Sequence, residues 1–257
     1  TTIVRPPGFI LISSGIQDGE QPDIAFDSAE NVHIVWTEYY TTESAYEIHY
    51  KMLDNDSNIL IGDTLLTEPD GYNSKRPCIE LDSNNYAHIV WQDKFTTGGS
   101  TEIKYMKFDP FIAPLDGSPL NITSATLVSE RIISPDDGDD SKHPDLAMGS
   151  DDEPQVIWQD EEWSLWDDET IGKIMYERLD NNGNVLYGPI QLNDDDTDTW
   201  RAFPNIEVDS QNNAHTCWAA ALPSEEEPWY SSAYDGDYPR LVHYSMVGNS
   251  GNVVIAN

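Results

Sequence analysis

Pro22-Asp-Ile-Ala-Phe-Asp-Ser-Ala-Glu-Asn-Val-His-Ile-Val-Trp36 is written four times along the chain, with copies opening at Pro22, Pro77, Pro144 and Pro204. Each copy closes on a tryptophan 14 residues later, Trp36, Trp91, Trp158 and Trp218. Within each, apolar residues alternate with others: Ile24 and Phe26, Ile79 and Leu81, Leu146 and Met148, Ile206 and Val208. Period two over a short run predicts a strand. The Asp-Ser-Asn-rich turns that follow, such as Asp82-Ser83-Asn84-Asn85, predict a hairpin into a second strand that ends at the tryptophan.

Working outward, a third strand is predicted at Glu47–Leu53, Glu102–Phe108, Lys173–Leu179 and Leu241–Val247, with Tyr50, Tyr105, Tyr176 and Tyr244 in equivalent places. Turns such as Asp54–Asn58 and Asp180–Asn184 lead to a fourth, while repeat two carries a longer insert, Asp109–Pro119. No segment has a helical period, so helix content is expected to be very low. Successive prolines stand 55, 67 and 60 residues apart, a spacing suited to one four-stranded propeller blade per repeat.

The expectation is one all-β domain over residues 1–257, a four-bladed β-propeller of four-stranded antiparallel blades, with repeats of about 19–70, 71–137, 138–198 and 199–257. Residues 1–18 contain Phe9-Ile10-Leu11-Ile12-Ser13, which resembles the last strand of the other repeats. The last blade is therefore expected to be completed by this N-terminal strand, closing the ring. A strand able to close its own ring can also be donated to a neighbour, giving polymers.

The pattern of proline, alternating strand, Asp-containing turn and His-x-x-Trp resembles the repeats of secreted sialidase-like bacterial and archaeal β-propellers. That resemblance covers the chain from Gly19 onward and implies the blade, not an activity. Sialidases are six-bladed and use an arginine triad, a tyrosine nucleophile and an acid. Here there are four repeats and no Ser-x-Asp-x-Gly-x-Thr-Trp box, so no catalytic residue carries over.

Thirteen Lys and Arg face 47 Asp and Glu, a formal charge of −34, which argues against nucleic acid and anionic membrane as partners. No apolar run of 18 residues is present, so no membrane insertion is expected. The opening Thr1 and the sequons at Asn55 and Asn121 read as a processed protein, extracellular or at the cell surface. Cys78 and Cys217 fall on opposite sides of a ring of four and are expected to be free.

Inter-blade loops and those joining second to third strands emerge on one face. There lie the acidic runs Asp136-Asp137-Gly138-Asp139-Asp140 and Asp194-Asp195-Asp196. Clustered carboxylates are hard oxygen ligands, and calcium is the expected cofactor at these seven aspartates. Asp54, Asp56 and Asn58 open like a calcium loop, yet Ile59 stands where its glycine belongs. Trp163, Trp166, Trp229 and Tyr230 lie outside the repeat on the same face and are the candidate ligand-binding aromatics, for a sugar or a protein. Lys75-Arg76, Lys142-His143 and Arg201 precede three first strands, and pairing with Asp93 and Asp160 across the hairpin is expected for the first two. His33, His88 and His215, with Gln155 in the remaining repeat, read as hydrogen-bonded structural groups.

The function these features favour is non-catalytic: an extracellular interaction or assembly module, such as a surface or filament subunit joined by strand donation to itself or another protein. The alternative is a glycan-binding or glycoside-hydrolysing propeller acting through its acidic, aromatic loop face.

Overall fold

The computed structural model describes residues 10–13, 17–94, 99–163, 170–193, 201–221 and 240–254, without the side chains of residues 162, 163, 170, 171, 201, 221 and 240. Among the described residues sixteen strands form four antiparallel four-stranded sheets, each taken in chain order. Blade one is β1 (Gly19–Phe26), β2 (Val32–Tyr40), β3 (Ala45–Leu53) and β4 (Ile59–Leu65). Blade two is β5 (Ser74–Leu81), β6 (Ala87–Asp93), β7 (Glu102–Phe108) and β8 (Thr126–Ile132). Blade three is β9 (Asp140–Met148), β10 (Pro154–Trp163), β11 (Thr170–Leu179) and β12 (Val185–Gln191). Blade four is β13 (Arg201–Val208), β14 (Ala214–Ala221), β15 (Arg240–Val247) and β16 (Val253–Val254). The protein is a four-bladed, all-β propeller in architecture.

Local chemistry explains the hairpins. Asp82 Oδ1 accepts the backbone amides of Asn84 and Tyr86 at 2.9 and 3.0 Å, folding the turn onto its own side chain. Asp27 and Asp209 do the same in blades one and four. The turn residue at positive φ is Glu30, Asn85, Asp152 or Asn212, all near 62°. Asp54, the apparent start of a calcium loop, closes an ordinary turn by accepting from Asp56 and Asn58.

Each first strand is interrupted by a bulge just before its proline, at Gln21, Arg76, His143 and Phe203, whose φ values are 52–54°. Proline offers no N–H to the ladder, and the bulge places it where none is needed. The bulge also sets the register above it: Ser74 lies opposite Asp93 and Ser141 opposite Asp160. The expected Lys–Asp pairs across these hairpins therefore do not form. Lys142 instead bridges Asp140 and Glu161, each at 2.8 Å, and Lys75 reaches Glu20 of blade one at 3.4 Å.

Three apolar cores lie between consecutive blades. Ile48, Tyr50 and Met52 of blade one pack with Ile79, Ile89 and Trp91 of blade two. Ile103 and Tyr105 pack with Leu146, Val156 and Trp158, and Ile174 and Tyr176 with Ile206, Trp218 and Val247. Among the described residues no such core joins blade four to blade one.

Two differences from expectation concern the edges. Val253–Val254, not the N-terminal stretch, is the fourth strand of blade four, pairing with Met246 and Val247. Ile10–Ser13 belongs to no strand and lies on blade one, where Lys51 Nζ donates to the Ile12 carbonyl; Phe9 lies outside the described residues. The insert of repeat two reaches back to blade one. Its Ser118 carbonyl accepts from Gly62 N at 2.9 Å and Gly117 N donates to the Leu60 carbonyl at 2.9 Å, which covers the edge of β4. A Cβ on Gly62 would come within 2.5 Å of the Gly117 carbonyl oxygen, so only glycine permits this approach. Among the described residues helix amounts to a 3₁₀ turn at Pro110–Ile112 and α1 (Ile122–Ala125), both in this connection and both capped by side chains, Asp109 and Asn121.

Candidate functional site

Around the centre, the four first strands bring together Asp23, Glu80, Asp145 and Glu207. Asp23 Oδ2 accepts from Ile79 N at 2.8 Å, and Asp145 Oδ2 from Ile206 N at 2.8 Å and Asn205 Nδ2 at 2.7 Å. These bonds tie each inner strand to the next. Cys78, in the equivalent place in blade two, donates its thiol to the Pro144 carbonyl at 3.2 Å. Burial pushes the Glu80 carboxyl up to about 7, with Asp23, Glu207 and Asp145 adding to the rise. Burial lifts Asp145 to about 6, against the amides of Ile206 and Leu146. At neutral pH the group therefore holds protonated and ionised carboxyls side by side.

This cluster underlies a cavity of about 550 Å³ on the face of the hairpin turns. Its walls are one apolar residue from each blade, Phe26, Leu81, Met148 and Val208, with Glu80 among the lining groups. Serines and amide or carboxylate groups of the turns, Ser83 and Asp152 among them, form its rim. In sequence Glu80 and Glu207 stand between the alternating apolar residues Ile79 and Leu81, and Ile206 and Val208. The available signal was an acid at a position that is alanine in the other two blades, Ala25 and Ala147.

On the opposite face, Asp137 and Asp139 converge with Asp160, and one ligand atom from each lies within 4.8 Å of the other two. Asp160 is 2 % exposed and its Oδ1 has no hydrogen-bond partner. Burial first, then Asp137, Asp139 and Glu102, raises its carboxyl to about 7, with Lys173 opposing. Glu102 is itself buried, accepts from Ser134 Oγ at 2.6 Å, and is raised by burial with Asp136 and Asp137 contributing. Asp140 turns away, accepting from Thr101 N at 2.7 Å and pairing with Lys142. Of the first acidic run, then, Asp137 and Asp139 share one point, Asp136 acts through its charge, and Asp140 serves an ion pair. Asp194, Asp195 and Asp196 lie outside the described residues. Asp160, the expected ion-pair partner of Lys142, is freed for this cluster by the bulge at His143.

Another set, Glu38, His49 and Asp63 in blade one, also gathers within 4.8 Å. His49 Nδ1 lies 2.6 Å from Asp63, His49 stacks on Trp36, and Trp36 Nε1 donates to Glu38 Oε2 at 2.8 Å. Trp163 ends β10, paired through its backbone with Thr170, while Trp166, Trp229 and Tyr230 lie outside the described residues. The repeated histidines are structural: His33, His88 and His215 each join a turn aspartate to a tyrosine, and Gln155 bonds Tyr176 at 2.8 Å where Gly149 replaces the aspartate. Cys78 and Cys217 are free and half-buried.

No family profile matches the chain, and no curated protein is similar to it in sequence. Its fold is similar to that of a polysaccharide lyase, an ulvan lyase, at a TM-score of 0.58, 10 % identity and coverage of 91 % of this chain and 56 % of that one. It is similar to an endo-arabinase from Bacteroides thetaiotaomicron at a TM-score of 0.52, 11 % identity and coverage of 91 % and 78 %. A protein of unknown function from Dyadobacter fermentans gives 0.57, 9 %, 91 % and 67 %. The chain thus spans little more than half of the ulvan lyase. At these identities the likeness establishes the propeller fold, and the sialidase-like resemblance stays confined to the blade. No helix among the described residues is long and apolar enough to cross a membrane.

Proposed function

We propose that this chain binds and hydrolyses a carbohydrate chain at its central cavity, outside the cell. The observation that carries this reading is the axial carboxyl cluster, in which Glu80 titrates near 7 and Asp145 near 6. Glycoside hydrolysis needs one carboxylic acid to protonate the leaving oxygen and one carboxylate to act as base or nucleophile. Glu80, which lines the cavity, is the acid, and its neighbour Asp145 the second group. Phe26, 64 % exposed at the cavity wall, offers a face for a sugar ring, and the turn serines and amides offer hydroxyl partners. A formal charge of −34 disfavours a polyuronate, so a neutral glycan is the substrate class. The likeness to the endo-arabinase supports a polysaccharide over other ligands.

Calcium is the ion proposed for Asp137, Asp139 and Asp160, in a structural role away from the cavity, because a buried carboxylate oxygen there has no donor. The test of the main reading is reducing-sugar release from a panel of neutral polysaccharides. Turnover that Glu80→Gln reduces about a hundredfold or more supports it. Absence of both turnover and binding across the panel returns the protein to a non-catalytic interaction module.

A further inference from the structure

We propose that the two end faces of the blade stack are the two halves of one interface, and that a second copy of this chain completes it head to tail. The inference does not rest on glycan activity, although Phe26 is common to the cavity wall and to this interface. It starts from an interface that the chain already writes three times. In each, the third-strand tyrosine and its neighbour two residues earlier, Ile48 and Tyr50, Ile103 and Tyr105, Ile174 and Tyr176, are at most 1 % exposed. The first-strand residue that meets them from the next blade, Ile79, Leu146 or Ile206, is at most 5 % exposed. A backbone bond accompanies the packing: the turn serine of one blade donates its amide to the positive-φ residue of the next. Ser28 N bonds Asn85 Oδ1 at 2.9 Å, Ser83 N bonds Asp152 Oδ1 at 2.7 Å, and Ser150 N bonds Asn212 Oδ1 at 2.8 Å.

Blade four carries the giving half of a fourth such interface, unused. Val242 and Tyr244, equivalent to the buried pairs above, are 80 % and 45 % exposed. Blade one carries the receiving half, with Ile24 at 53 % and Phe26 at 64 %. The hydrogen-bond code is complete as well. Ser210 occupies the donor position of blade four, and Glu30, at φ 62°, offers a carboxylate at the acceptor position of blade one. Large apolar residues at equivalent positions in opposite end faces, with a matched donor and acceptor, form two different patches complementary to each other, which is a heterologous, head-to-tail interface. Within this arrangement the chain does not bring its own halves together, since no core links blade four to blade one among the described residues. A second copy brings the missing half to each, by continuing the interface already used inside the chain. Such contacts close into a ring of two chains or run on as a filament. With −34 formal charges on each copy, screening governs the strength: from about 0.15 M to about 1 M salt the screening length falls from about 8 Å to about 3 Å.

The experiment is light scattering on the whole chain at low and high salt, with Val242→Asp, Phe26→Asp and an equal mixture of the two. Both positions are more than half exposed, so the blades themselves tolerate the change, and circular dichroism checks this; Val242→Ser and Phe26→Ser replace either variant whose strand signal falls. The expected result is a mass of at least twice 28.9 kDa, rising with salt, for the wild type and monomers for each variant alone. The mixture regains a dimer, because one variant keeps its blade-one face and the other its blade-four face. A wild-type monomer at every salt concentration, as intramolecular closure would give, overturns the proposal. So does association that ignores both substitutions, or variants that fail to complement.

Discussion

Tyr244 Oη lies 2.8 Å from His215 Nδ1, the same bond that Tyr105 makes with His88 at 2.9 Å, yet Tyr244 is 45 % exposed and Tyr105 is sealed from solvent. His88 Nε2 faces Asp82 at 3.3 Å, so the ring carries its proton there and Nδ1 accepts from the tyrosine. Burial lowers the pKa of His88 and keeps it neutral, with Asp82 opposing. Identical geometry in two solvents separates the worth of the bond from the worth of its burial. Tyr105→Phe leaves a buried nitrogen without a donor and is expected to cost about 1–3 kcal/mol in urea unfolding. Tyr244→Phe lets water replace the hydroxyl and is expected to cost about 0.5 kcal/mol or less. Equal losses would show that the two sites share one environment.

Stability is expected to fall as pH rises from about 5 to about 8. Glu80 goes from an ordinary 4.5 to about 7 on folding, and Asp145 from 3.8 to about 6. In that window the native state holds protons that the unfolded chain has released, so unfolding becomes easier as pH climbs. The contribution is complete below the unfolded value and lost through the folded one. Asp82 works in the other sense: against the penalty of burial, bonds from His88 and Lys107 hold its carboxyl low, and its contribution is lost only in acid. Glu80→Gln should flatten the decline in urea midpoint between pH 5 and pH 8, and an unchanged slope would remove Glu80 from the axial group.

Calcium is expected to raise the melting temperature of the wild type and to lose that effect in Asp160→Asn and Asp137→Asn. Asp140→Asn should keep it, because Asp140 already faces Lys142 and Thr101 N. The three variants together distinguish binding at one point from general neutralisation of an acidic surface, which all of them would affect alike.

Gly183 sits at φ +74° with the ring of Tyr105 2.7 Å from where a Cβ would stand, whereas Gly138, at φ +95°, has nothing within 4 Å. Gly183→Ala must displace a buried aromatic of the preceding blade and is expected to cost about 2–4 kcal/mol. Gly138→Ala carries only backbone strain, about 1–2 kcal/mol. Thermal unfolding of the pair reads the difference directly.

Much of this architecture is legible from four copies of one pattern. The spacing from proline to tryptophan defines a hairpin, and the aligned tyrosines mark the third strand. The substitution of His by Gln155 in the one blade whose turn aspartate is Gly149 shows a coupled network before any coordinate is known. What escaped the pattern depends on a single inserted residue or on neighbours distant in sequence. The positive-φ bulge before each proline moves Ser141 rather than Lys142 opposite Asp160, and so turns an expected ion pair into a carboxylate cluster. Glu80 acquires its character from burial at the axis, with Asp23, Glu207 and Asp145 of the three other blades adding to it. The likeness of Ile10–Ser13 to an outer strand was genuine as composition, yet Val253–Val254 already occupies part of that edge and nothing in period two says which segment arrives there.

A propeller whose described residues form three inner seams and leave two ends bare is, energetically, a short stack and not a hoop. In a hoop every blade is clamped from both sides and the whole unfolds at once; in a stack the outermost layers have one neighbour each. Amide exchange should then be graded along the chain, fastest in β1 and β15, slowest in β6, β7 and β10, and the gradient should level off whenever something seals the two ends.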